Sequence, residues 1–146
     1  MNIVLKNIKF LETSRGVAFT ASIYLDGKRV GTVENSGTGG CNNYHWKDDK
    51  AEKAITEHAE SQPPLPSEHF PEGLPMDIDL FIDTLIEKQE TEKQYKKWCK
   101  TKTVFRLKST PEGECLTVAR PYNLNIKKAL KQKYGAELVE IINERF

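Results

Sequence analysis

Apolar and polar positions alternate most regularly over residues 17–25, where Val17, Phe19, Ala21, Ile23 and Leu25 fall on one face of an extended chain. Asp26-Gly27 follows, and then a second strand-like run, Arg29-Val30-Gly31-Thr32-Val33. Asp-Gly between two such runs predicts a hairpin, because both central residues of a type I′ turn require positive φ. Upstream, Ile3 and Leu5, then Ile8 and Phe10, bracket a first strand whose alternation slips once. The pattern predicts a three-stranded antiparallel meander.

The alternation ends at Ser36-Gly37-Thr38-Gly39-Gly40, a loop by composition. Helical spacing replaces it from Asp48, whose carboxylate can cap a first turn, to about Ser61, with a thin stripe of Ala51, Ala54, Ile55 and Ala59. Five of the seven prolines then crowd residues 62–76 and predict an extended external loop, since each removes a donor and fixes φ. A long helix is expected over 77–100: Ile78, Phe81, Ile82, Leu85 and Ile86 make its stripe, which lapses from Glu87 to Gln94 and resumes at Tyr95, Trp98 and Cys99. Residues 103–108 and 114–120 read as a second hairpin around Thr110-Pro111-Glu112-Gly113. Asn123 or Asn125 can cap a further helix that ends at Tyr134 with Gly135 behind it. Residues 136–146 fit a helix or a short strand returning to the sheet, and the strand is favoured. The class is α+β: a mainly antiparallel sheet, an N-terminal three-stranded meander plus a later hairpin, with three or four helices in a single domain, 1–146.

A chain of 146 residues can bury a core without metal or disulfide support, and its 38% hydrophobic and 29% charged residues suit a folded domain. No apolar run approaches the ~18–20 residues that span a bilayer, so no membrane partner is expected. The first ten residues lack the pattern of a signal peptide, and three scattered cysteines (Cys41, Cys99, Cys115) suit a reducing cytoplasm. The formal net charge of +1 conceals a division: residues 34–92 carry 4 Lys/Arg against 14 Asp/Glu, and residues 93–133 carry 12 against 2. The two blocks can face each other within the fold or across an oligomer interface. Alternatively the basic block receives phosphates, or the acidic one docks on a basic partner.

Candidate chemistry concentrates at residues 35–46. Gly39 and Gly40 allow close approach of a ligand to backbone N–H groups, Asn42 and Asn43 offer amides, and Tyr44, His45 and Trp46 can stack on a base. Arg106 or Arg120 would neutralise a phosphate. The spacing matches neither a P-loop nor a dinucleotide fingerprint, and the same glycines and aromatics also suit a turn that packs on itself. Cys41 and His45 have ligand-like spacing, but no second close Cys/His pair accompanies them, so no metal or other cofactor is expected. A nuclease using His45 with Asp48, Asp49 and Glu52 is the residual catalytic reading; those acids are explained more simply as first-turn helix residues. In the basic block, Tyr95, Trp98, Phe105 and Tyr122 interleave with lysines, as a single-strand surface would require, or as core anchors would among solubilising lysines.

The run from Ile23-Tyr24-Leu25-Asp26-Gly27-Lys28 through Gly39-Gly40-Cys41-Asn42-Asn43-Tyr44-His45-Trp46, with Lys102-Thr103-Val104-Phe105-Arg106-Leu107-Lys108, resembles small uncharacterised proteins encoded by bacteriophages and mobile elements. The resemblance implies a bacterial cytoplasm and an accessory role, such as antagonism of host defence by sequestering a nucleotide signal or binding a defence protein. It brings no catalytic motif. The expectation is therefore a non-enzymatic protein that captures a nucleotide or other phosphate-bearing ligand through Gly39, Gly40, Asn42, Asn43, Tyr44, His45, Trp46, Arg106 and Arg120. A nucleic-acid-binding surface at 93–133 and an inhibitor surface at 34–92 are the alternatives, and a homo-oligomer is possible under each.

Overall fold

The computed structural model describes residues 1–146. Two compact units divide the chain, Met1–Glu87 and Lys88–Phe146. The division falls inside a helix, where the apolar stripe lapses, and the proline-rich segment lies within the first unit.

The first unit is a four-stranded antiparallel meander, β1 (Ile3–Thr13), β2 (Gly16–Leu25), β3 (Lys28–Asn35) and β4 (Asn43–Trp46), in the order β1-β2-β3-β4. Asp26 and Gly27 take φ of 50° and 86°, the positive pair that the tight turn demands. The slip in β1 is a bulge between Lys6 and Lys9, where Asn7 adopts φ 55°. It restores the apolar parity, so that Leu5 and Ile8 both reach the core. A second register shift between β2 and β3 brings Val30 into the same core. One sheet face packs Leu5, Ala21, Ile23 and Val33 against Ala51 and Ile55 of α1 (Asp49–Glu60) and Ile82 and Ile86 of α2 (Ile78–Trp98). Asp48 caps α1 by accepting from the Lys50 N–H, and Asp77 accepts from the Leu80 N–H at the start of α2.

The expected three-stranded meander is corrected to four, because residues 43–46 are a strand and not loop. Tyr44 opposes Val33 and Trp46 opposes Gly31 on the core face, while Asn43 and His45 face the other way. The proline-rich segment closes on itself: Leu65 and Leu74 exchange two backbone hydrogen bonds of 2.9 and 2.7 Å.

The second unit holds a three-stranded antiparallel sheet in the order β6-β5-β7, built from β5 (Thr103–Leu107), β6 (Leu116–Val118) and β7 (Leu138–Ile141). The final segment is thus the returning strand, followed by a short 3-10 turn, Ile142–Arg145. The second hairpin pairs over three residues only, fewer than the expected 114–120. α3 (Leu124–Tyr134) lays Ile126, Leu130 and Tyr134 on Phe105 and Ile141. Asn123 caps it, and Gly135 closes it at φ 55°. No helix of the chain is long and apolar enough to cross a membrane.

Candidate functional site

The glycine-rich turn is built for its own sheet. Gly37 is buried at φ 77°, and a Cβ there would sit 2.7 Å from the Ala18 nitrogen and 2.8 Å from the Val17 carbonyl carbon. Close approach is needed at this glycine, but the approaching backbone is β2. The Gly37 N–H donates to Asn35 Oδ1 at 2.8 Å. Asn35 Nδ2 in turn donates to the Gly40 carbonyl at 3.1 Å and to Asn42 Oδ1 at 2.8 Å. Gly39 and Gly40 are exposed, with open space where a side chain would stand.

Asn42, only 8% exposed, is spent inside the unit: its Nδ2 donates to Asp83 Oδ1 at 3.2 Å, and the Tyr44 hydroxyl lies 3.5 Å away. The Tyr44 hydroxyl donates to Asp79 Oδ1 at 2.7 Å. These bonds fasten the first turns of α2 to strand β4. Burial, with the Asp79 hydrogen bond adding to it, pushes the Tyr44 phenol far above its ordinary range, so it remains a donor. Burial also raises the Asp83 carboxyl, opposed by the Asn42 bond. Trp46 stacks on Tyr44 at 5.6 Å and covers Gly31, where a Cβ would meet Trp46 Cε3 at 3.1 Å. Asn42, Tyr44 and Trp46 therefore take part in holding the fold, with Asn42 buried and the Tyr44 and Trp46 rings half-buried.

Asn43 and His45 stand on the sheet face opposite the core packed by Tyr44 and Trp46. His45 Nε2 is 3.5 Å from Glu34 Oε1, and Asp48 serves as the α1 cap, so the residues of the nuclease reading point to separate tasks. A shallow hollow of about 350 Å³ on that face is lined in part by Lys9, Leu11, Ala18, Thr20, Glu34 and Asn43. Lys9 is its one cation, and Glu34 opposes it. Across the whole first unit 14 Asp/Glu outnumber 8 Lys/Arg, a net of −6, so a phosphate there meets a repelling field. No group of three or more His, Cys, Asp or Glu side chains is placed to hold a metal ion.

Arg106 and Arg120 belong to the second unit. Arg106 lies on β5 opposite Glu140 of β7; its Nη2 reaches the Pro111 carbonyl at 3.4 Å, and its buried Nε has no partner. Arg120 is exposed just past β6, and its carbonyl accepts from Thr103 Oγ1 at 2.9 Å. This unit carries 14 Lys/Arg against 7 Asp/Glu, a net of +7. Only two of those cations form ion pairs: Lys127 with Glu144 at 3.2 Å, and Arg145 with Glu92 and Glu140 at 2.8 and 2.9 Å. Lys93, Lys96 and Lys97 share the side of α2 opposite Tyr95 and Trp98, and Lys100 follows in the next turn. Lys128 and Lys131 share the side of α3 away from Leu130. All six are exposed and unpaired.

The lysines were legible in the sequence as a count; which of them stand free of carboxylates was not, because Glu144 reaches Lys127 from another element and Glu92, on α2 beside Lys93, is taken by Arg145. No family model, no curated protein and no solved structure matches this chain.

Proposed function

We propose that the chain is a non-catalytic binding protein whose second unit engages the phosphate backbone of a nucleic acid. The observation that carries this reading is the set of six exposed lysines on the outer sides of two helices, unpaired in a unit of net charge +7. Unpaired surface cations condense onto a polyphosphate and release its counterions, a gain that grows with each contact. The same physics works against the glycine-turn capture expected from residues 35–46. The first unit, which holds those residues, carries a net charge of −6, and two of the side chains meant to read the ligand, Asn42 and Tyr44, already bond to Asp83 and Asp79. The phage-type accessory role that the resemblance implies forms the biological setting of this proposal, with a bacterial cytoplasm as its site.

The test is a fluorescence-anisotropy titration of random-sequence oligonucleotides with the full chain in rising salt. Four phosphate contacts on a duplex give a slope of about −3.6 in log K against log salt, roughly 12-fold weaker binding per doubling. Binding that is absent at ~50 mM salt, or indifferent to salt, overturns the reading.

A further inference from the structure

The lysine surface also carries information about which form of nucleic acid it suits, and this step rests on the reading above. Single-stranded ligands are held largely by bases stacked on aromatic faces, each worth about 1–3 kcal/mol, with lysines following the backbone. The second unit has aromatics in the right part of the sequence for that role, but apart from Phe146 none is fully exposed: Phe105 is buried, and Tyr95, Trp98, Tyr122 and Tyr134 are half-buried. Phe105 is 3% exposed and lies 5.6 Å from Tyr134 within the core under α3, which Tyr122 also joins. The Tyr95 ring is flanked by Trp98 at 6.2 Å and by the Arg145 guanidinium at 6.0 Å. Lys133 lies 5.3 Å over the Tyr134 ring. Only Phe146 stands out, at 52% exposure, and one ring is no track for successive bases.

In the hollow beside α3, about 400 Å³, Lys127 pairs with Glu144 and Arg145 with Glu140, while Lys131 at its edge is unpaired. A splayed nucleotide entering there would displace bonds already made. What remains are two helix sides that bear exposed lysines and no fully exposed ring. Lys93 and Lys97 are four residues apart, about 6 Å of helix rise. Lys93, Lys96 and Lys97 therefore lie within about one helical turn of each other, close enough to meet neighbouring phosphates of one backbone.

We infer that the preferred ligand is double-stranded nucleic acid, gripped by its phosphates without sequence readout. A duplex carries twice the axial charge of one strand and needs no unstacked base, so it gains on this surface what a single strand loses.

The experiment titrates the full chain into labelled 20-base-pair duplexes of two unrelated sequences and into their separated strands, at three salt concentrations. The expected result is duplex binding at least about fivefold tighter than either strand at ~100 mM salt, equal for both sequences, with a salt slope near −0.9 per contact. The triple variant K93Q/K96Q/K97Q, at exposed positions and with its fold checked by circular dichroism, should bind at least tenfold more weakly and lose two to three contacts' worth of slope, about 0.9 each. Single strands bound as tightly as duplex, or duplexes discriminated by sequence, would overturn the inference while leaving polyanion binding in place. An unaltered triple variant would move the site off α2 and overturn it as well. Absence of binding to every arm rejects the polyanion reading itself.

Discussion

Asn143 stands where three backbone groups converge. Only 8% exposed, it accepts from the Val104 N–H at 2.7 Å and donates to the Lys102 carbonyl at 2.8 Å and the Cys99 carbonyl at 3.5 Å. One amide thus secures the end of α2, the start of β5 and the C-terminal turn. Removing it leaves buried polar groups unpaired, each at about 1–3 kcal/mol, so Asn143→Ala should cost about 2–4 kcal/mol in urea unfolding. Asn143→Asp keeps the acceptor for Val104 but turns a carboxylate towards two carbonyl oxygens. Its carboxyl is then more easily protonated folded than unfolded, and the stability it retains is present in acid and lost as pH rises through its folded pKa. The aspartate variant should therefore be nearer wild type at pH 4 than at pH 7, whereas the alanine variant's deficit should be unchanged. Equal deficits of the two at both pH values would mean that the carbonyl contacts contribute nothing. Asn42 and Tyr44 repeat the lesson in the first unit. Amides and phenols, which suit ligand recognition, equally satisfy buried polar groups, and only their partners decide between the two uses.

At the scale of elements, two glycines that look alike in sequence differ in what they separate. Gly27 has φ 86° with nothing near its missing Cβ, whereas Gly37 has φ 77° and the backbone of β2 at 2.7 Å. Gly27→Ala should cost only the left-handed strain, about 1–2 kcal/mol. Gly37→Ala adds an overlap with atoms that cannot rotate away, so thermal unfolding should place it well below Gly27→Ala. A Gly37→Ala chain as stable as Gly27→Ala would show that the turn lifts off β2 freely. Much of the framework was legible because local signals agreed with the tertiary result: Asp26-Gly27, the caps at Asp48 and Asn123, the stop at Gly135. Strand β4 was not, since Asn43-Tyr44-His45-Trp46 is short and rich in groups with chemical promise. Its period-two signal was present: Tyr44 and Trp46 face the core and Asn43 and His45 do not. The bonds from Asn42 and Tyr44 to Asp83 and Asp79 join residues 41 and 35 positions apart, and no local pattern encodes such a pairing. The ion pairs that withdraw Lys127 and Arg145 from the basic surface escape the sequence for the same reason.

The molecule as a whole is nearly neutral, yet its two units carry net charges of −6 and +7, divided at Glu87/Lys88. Such a chain is a charged donor and a charged acceptor for its own copies. Surface fields reach about 30 Å at 0.01 M salt but about 8 Å at physiological ionic strength. Near the sequence pI of about 7.7, no net repulsion keeps copies apart, and the acidic unit of one can lie on the basic unit of another. Sedimentation at pH 7.5 should accordingly show self-association in 10 mM salt that dissolves by ~150 mM, where screening removes the attraction. Duplex oligonucleotide added at low salt should dissolve it too, because phosphates and the acidic unit compete for the same lysines. The K93Q/K96Q/K97Q variant should self-associate less and bind duplex less in parallel. A chain that stays monomeric in 10 mM salt would remove the competition from the argument, and assemblies that persist with excess duplex would mean that they form through surfaces other than the lysines. The first outcome would leave the basic surface committed to its ligand alone; the second would separate assembly from binding altogether.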